Sequence, residues 1–187
     1  NMPAVALTDN NNMFGALEFS IKCIQNGIQP IIGTSINILS LNQSNNKFIN
    51  QATFIAKNEK GYHNLIKLSS KSHLNNINDF PGLELKDIYE YKDGLIIFFG
   101  GINNPFLNYF KNNKLNQIKE LINSLKNEFN EDLLFELQRI DNFDLDSFEE
   151  NYINIALENN IPLIATNNAK YPNPDYFEAH DSLVCIA

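Results

Sequence analysis

Short apolar runs alternate along the chain with stretches in which apolar residues recur every three or four positions. Ala4 to Leu7 reads as a strand buried on both faces, with Thr8 and Asp9 at its end. Asn12 is then a good N-cap, Phe14, Leu17, Ile21 and Ile24 follow at helical spacing, and Gly27 offers a stop. Strands are predicted again at Ile31 to Ile38, Ala52 to Ala56, Leu95 to Phe99, Leu133 to Leu137 and Pro162 to Ala165. Between them the spacing predicts helices at Lys60 to Leu74, Leu85 to Tyr91, Phe106 to Phe129 with a break at Asn112 to Asn113, and Phe148 to Asn159. Asn173 and Pro174 open a last helix that ends near Ala187. Such alternation implies an α/β fold with parallel strand pairing and outer helices, a barrel or a doubly wound sheet. In either, ligands gather at the carboxyl ends of strands, so function is sought at Thr8 to Asn12 and its counterparts.

Composition narrows this picture. With 187 residues, 43% of them hydrophobic, the chain suits one domain spanning 1–187. The net charge of -8 argues against gripping a nucleic-acid backbone unaided and favours a protein partner. Asparagine is abundant and Arg139 is the one arginine, a bias read as that of the source genome. Cys23 and Cys185 stand outside any metal-type CxxC and read as buried free thiols in a reducing cytoplasm. No run approaches the roughly 20 apolar residues of a membrane span, so no membrane partner is expected. GxGxxG, GxxxxGK[ST] and GxSxG are all absent.

Segments in one order carry a resemblance. They are AVALTDNNNMFGALEF near the start, GIQPIIGTSINI (Gly27 to Ile38), AKNEKGYHNLIKLSS (Ala56 to Ser70), DGLIIFFGG (Asp93 to Gly101), LFELQRI (Leu134 to Ile140), IPLIATNNAKY (Ile161 to Tyr171) and EAHDSLVCI (Glu178 to Ile186). Together they resemble the polymerase-and-histidinol-phosphatase (PHP) domain at the amino end of bacterial DNA polymerase III alpha subunits. The resemblance implies a distorted (β/α)7 barrel whose strand ends hold metal ions for phosphoester hydrolysis. It also implies that the opening strand, with its HxH pair, lies upstream of Asn1 and is missing from this chain. An open, apolar edge beside Ala4 to Leu7, and hence self-association, is expected from that loss.

At the matched metal positions this sequence departs from the family. The family's Thr-Asp-His-Gly-Asn is Thr8, Asp9, Asn10, Asn11 and Asn12, and a glutamate after the IIG turn is Ser35. Gln51 replaces a histidine and Gly101 a cysteine or histidine. In the last motif Asn168 replaces an aspartate and Lys170 a histidine. Amide oxygens bring no charge to a metal, and a lysine brings the wrong one. The expectation is a vestigial site of Asp9, Asn10, Ser35, Gln51, Gly101, Glu136, Asn168 and Lys170, with no metal, no catalytic residue and no cofactor in this domain. Lys170 is expected to pair with Asp9 in the old metal cavity.

Bland readings compete at each remaining candidate. Asp9 and Glu136 could be a surviving ligand or base, yet a carboxylate satisfied by amides or by Lys170 is the simpler expectation. His63 and His73 read as solvated, and His180 as a capping or core group. Tyr62, Leu65, Ile66 and Leu74 read as core. Asp141, Asp144, Asp146, Glu149 and Glu150 lack the glycine of a calcium loop and read as a solvated turn and helix start. By resemblance, the partners are the rest of the polymerase alpha chain and a proofreading exonuclease subunit, with DNA met only through the parent polymerase. An active metal-dependent phosphoesterase or 3'-5' exonuclease, and a free-standing interaction module, are the alternatives.

Overall fold

The structure, a computed structural model, describes residues 2–41, 50–74, 81–101, 103–139 and 146–186. Its strands are β1 (Ala4–Leu7), β2 (Gln29–Asn37), β3 (Gln51–Ala56), β4 (Leu95–Phe99), β5 (Leu133–Leu137) and β6 (Leu163–Ala165). Its helices are α1 (Ala16–Gln25), α2 (Glu59–Leu74), α3 (Leu85–Glu90), α4 (Pro105–Lys111), α5 (Leu115–Phe129), α6 (Asp146–Glu158) and α7 (Phe177–Ile186). The strands form one curled six-stranded sheet in chain order, with β1 and β6 at its edges. The sequence-predicted elements are present to within a few residues.

Strand direction differs from the expectation. β1–β2, β4–β5 and β5–β6 are parallel, but β3 runs antiparallel to both of its neighbours. A parallel neighbour requires one crossover that returns the chain to the end where it began. β2 and β3 pair directly as antiparallel neighbours, and past the ladder the Ile38 amide donates to the Asn50 carbonyl at 2.8 Å. Between β3 and β4 there are two helices. α2 ends near the carboxyl tip of β1, where His73 meets the Asn11 carbonyl at 2.7 Å, and Leu83 bridges Ile38 beyond β2. α3 then leads to Leu95 opposite Ala56, the end where β3 finished. Two crossings bring the chain back to the end it left, so β4 runs antiparallel to β3.

The core lies between the sheet and α2 to α6. Ile36, Phe54, Leu65, Leu68, Ile88, Leu95, Phe99, Phe106 and Phe135 are all sealed from solvent. Tyr152 of α6 stacks on Phe135 at 4.5 Å between ring centres, and its hydroxyl donates to the Phe99 carbonyl at 2.6 Å. This aromatic block fixes α6 over β4 and β5.

Several sequence readings are corrected at the edges. β1 is not buried on both faces, since Ala6 is exposed and nothing among the described residues pairs beyond it. α1 packs its small residues Ala16 and Cys23 inward and turns Phe14, Leu17, Ile21 and Ile24 to solvent. Asn12 does not cap α1; its side chain accepts from the Phe14 amide, one turn earlier. In α2 the buried face is Gly61, Asn64, Leu65, Leu68 and Ser72, so of the expected core set Leu65 alone is sealed, and Tyr62, Ile66 and Leu74 are exposed. Both cysteines are free, Cys23 buried but Cys185 exposed, because α7 contributes no buried residue. The asparagines are not mere composition either. Asn11, Asn113, Asn130 and Asn160 adopt φ near 50°, a region this side chain tolerates better than most. Asp141, Asp144 and Ile140 lie outside the described residues. No helix among the described residues is long and apolar enough to cross a membrane.

Candidate functional site

Because β2 and β4 flank an antiparallel β3, the carboxyl ends of β1, β2, β4, β5 and β6 and the amino end of β3 fall on one side of the sheet. Of the residues expected at the vestigial site, Asp9, Asn10, Ser35, Gln51, Gly101 and Glu136 lie at these ends. They form two groups rather than one.

The first group joins β1, β2 and β3. The β1–β2 ladder continues past Leu7 to a bridge between Asn10 and Ser35. The Asp9 carbonyl accepts from the Ser35 amide at 3.0 Å and from the Thr34 hydroxyl at 2.9 Å. Ser35 Oγ lies 2.8 Å from Thr53 Oγ1. Gln51 Nε2 donates to Asn10 Oδ1 at 3.2 Å and to Asn37 Oδ1 at 3.4 Å. Asn11 Oδ1 accepts from the Asn37 amide, and Asn37 Nδ2 donates to the Pro81 carbonyl. Amides and hydroxyls therefore bond to one another where a metal cluster would need charge. The Asp9 carboxylate rests near Gly15, at the start of α1, where the helix dipole favours a negative group.

The second group joins β4, β5 and β6. Glu136 is buried, and its Oε1 accepts from Gln138 Nε2 at 2.9 Å and from the Thr166 hydroxyl. Gln138 Nε2 also reaches Thr166 Oγ1 at 3.2 Å. Gly101 fits because Gln138 lies against it; a Cβ there would stand 2.6 Å from Gln138 Oε1. Tyr152 sits behind this group. Burial pushes its phenol well above the ordinary value, the neighbouring Glu136 charge adds to the rise, and Asn104 opposes it. Asn104 is 1% exposed, and its Nδ2 has no hydrogen-bond partner among the described residues.

Lys170 does not pair with Asp9. It is exposed, like Asn168, and no ion pair among the described residues reaches it. The reason is topological: Lys170 follows the three-residue edge strand β6, whereas Asp9 follows the opposite edge β1. The anticipated satisfaction of Glu136 by backbone or lysine is likewise replaced by side chains of Gln138 and Thr166. Asn37, Thr53, Gln138 and Thr166 were not singled out in the sequence, and His73, expected to be solvated, is exposed but meets the Asn11 carbonyl. Gln138 was readable, because it follows Glu136 by two positions and so shares its face of the strand.

Among the described residues no three of His, Cys, Asp and Glu come together as a metal group would require. The donors present, neutral amides and hydroxyls already engaged with each other, are a poor fit to the metal ions that the fold family carries.

Comparison with known proteins bears on the family alone. The PHP domain family model matches residues 1–140. Over its whole length the chain is 35% identical to a DNA polymerase III subunit alpha of Rickettsia bellii, covering 16% of that protein. It is 32% identical to the same subunit of Caulobacter vibrioides and 33% to that of Borreliella burgdorferi, covering 17% of each. The chain thus spans about one sixth of the length of these curated relatives. With the family model matched over most of the sequence and the strand ends arranged around one mouth, the chain belongs to the PHP domain family.

Proposed function

We propose that this chain is the PHP domain of a DNA polymerase III alpha subunit acting in DNA replication, folding as one unit over 1–187. The parent polymerase, a nucleotidyltransferase of the cytoplasm, joins nucleotides to a primer. This domain binds no metal, hydrolyses no phosphoester, stabilises the polymerase and docks a proofreading exonuclease subunit. Full-length similarity to alpha subunits supports the first part. The observation that supports the second is the set of amide contacts Asn10–Gln51–Asn37, which engages Gln51 Nε2, Asn10 Oδ1 and Asn37 Oδ1 at the metal-side strand ends. The net charge of -8 suits a protein partner better than DNA.

The test is to equilibrate the protein with manganese or zinc, remove free ion and measure bound metal together with p-nitrophenyl phosphate turnover. Substoichiometric metal and turnover at buffer background are expected. One equivalent of metal, with turnover abolished by Asp9→Ala, would instead establish the active phosphoesterase. Docking is tested separately by co-elution with the exonuclease subunit; failure to co-elute removes that role and leaves the metal reading standing.

A further inference from the structure

A cavity of about 20 Å³ lies at the ends of β4 and β5, lined by Gly101, Asn104, Glu136, Gln138, Phe148 and Tyr152 among others. A polar cavity of that size holds one water, since roughly 10–15 Å³ suffices, and nothing much larger. One group on its wall is incompletely bonded, and a second brings a charged acceptor. Asn104 Oδ1 caps α4 by accepting from the Phe106 amide at 3.0 Å, so the amide cannot be turned over without losing the cap. That leaves Nδ2 a buried donor with no acceptor within hydrogen-bond geometry, although the Tyr152 hydroxyl, whose own proton goes to Phe99, is near enough for Asn104 to hold its phenol down. On Glu136 the Gln138 and Thr166 donors both fall on Oε1, and Oε2 stands on the Gly100 side.

The occupant must therefore accept from an amide and donate to a carboxylate. A cation is refused by the amide N–H and an anion by Glu136. An apolar group leaves the Asn104 amide unsatisfied, at roughly 1–3 kcal/mol. Water does both. We propose that this cavity is the binding site of one ordered water molecule, held between Asn104 Nδ2 and Glu136 Oε2. Such a water ties the turn after β4 to β5 and, through the Glu136–Thr166 bond, to β6. It gives that half of the mouth the cross-linking that metal ions would otherwise supply.

The test is a high-resolution crystal structure of this chain grown with manganese. The expected result is a single oxygen-sized peak within hydrogen-bond distance of both atoms and without anomalous signal. Asn104→Ser keeps an acceptor for the Phe106 amide but lacks the donor, and should lose the peak while α4 stays capped. Should that variant fail to fold, a long-lived water contact to the Asn104 side-chain amide protons by NMR serves instead. No peak, with Nδ2 turned onto Tyr152 Oη, overturns the proposal; so does an anomalous manganese peak, or a peak that persists in Asn104→Ser.

Discussion

The Glu136 carboxylate is held by two side chains from two strands, so its removal has a cost that a surface carboxylate would not. Glu136→Ala leaves the Thr166 hydroxyl and Gln138 amide without their shared acceptor in a half-buried site. Unfolding free energy should fall by about 1–3 kcal/mol, read from urea denaturation. Thr166→Val removes one donor and should cost less, so near-equal effects would mean that Gln138 contributes nothing. Gly61 offers a sharper case. Alanine is intrinsically better than glycine inside a helix by up to about 1 kcal/mol. Here, however, a Cβ on Gly61 would stand 1.9 Å from the Gly94 carbonyl oxygen. Backbone cannot move aside as a long side chain can, so α2 must lift from the start of β4. Gly61→Ala is expected to destabilise by more than about 2 kcal/mol, and a gain in melting temperature would show that the helix relaxes freely.

At the scale of elements, the α2–α3 contact is tied by charge. Lys71 lies 2.9 Å from the buried Asp87 and 3.1 Å from Glu90. These contacts, Asp87 first, raise the Lys71 ammonium above its ordinary value, and the Lys71 hydrogen bond depresses Glu90 below 4.5. The depressed carboxylate adds stability that is present above about pH 4.5 and lost as pH falls through its folded value. The raised lysine adds stability that is present below 10.5 and lost as pH climbs past its folded value. Lys71→Ala should therefore flatten both the acid and alkaline arms of a melting-temperature profile, and added salt should mimic it in part. Elements were legible from the sequence because strand length and helical spacing are local properties. Their partners were not. Spacing marks Phe14, Leu17, Ile21 and Ile24 as one helical face without saying which face meets the sheet, and small Ala16 and Cys23 fit there instead. The direction of β3 relative to β4 depends on the two helices, α2 and α3, that separate them. At the mouth, register sets Asn10 beside Ser35 and Gln51 beside Asn37, neighbours that strand position suggests, whereas a Lys170–Asp9 pair required two sheet edges to meet.

For the whole molecule, what matters is that apolar side chains face solvent near both ends of the chain. Around α1, Met2, Phe14, Leu17 and Ile24 are each about 70% exposed or more. On α7, Leu183, Val184 and Ile186 are more than half exposed. Burying a single large apolar side chain contributes roughly 1.5–3 kcal/mol, so a contact that covers a few of them offsets much of the cost of association. Opposing it is the repulsion between two copies that each carry -8. These two terms respond differently to salt. Screening weakens the repulsion and leaves apolar burial intact, so self-association of this chain should strengthen between low and moderate ionic strength. Sedimentation velocity over a concentration series would show it as a rising weight-average coefficient. Leu17→Lys with Ile24→Glu changes outward-facing positions, so it should keep the fold by circular dichroism and restore a monomer at every salt. A wild-type monomer at high concentration and high salt would mean that the α1 stripe is too narrow to seat a second copy, and that these faces need a different surface to cover them.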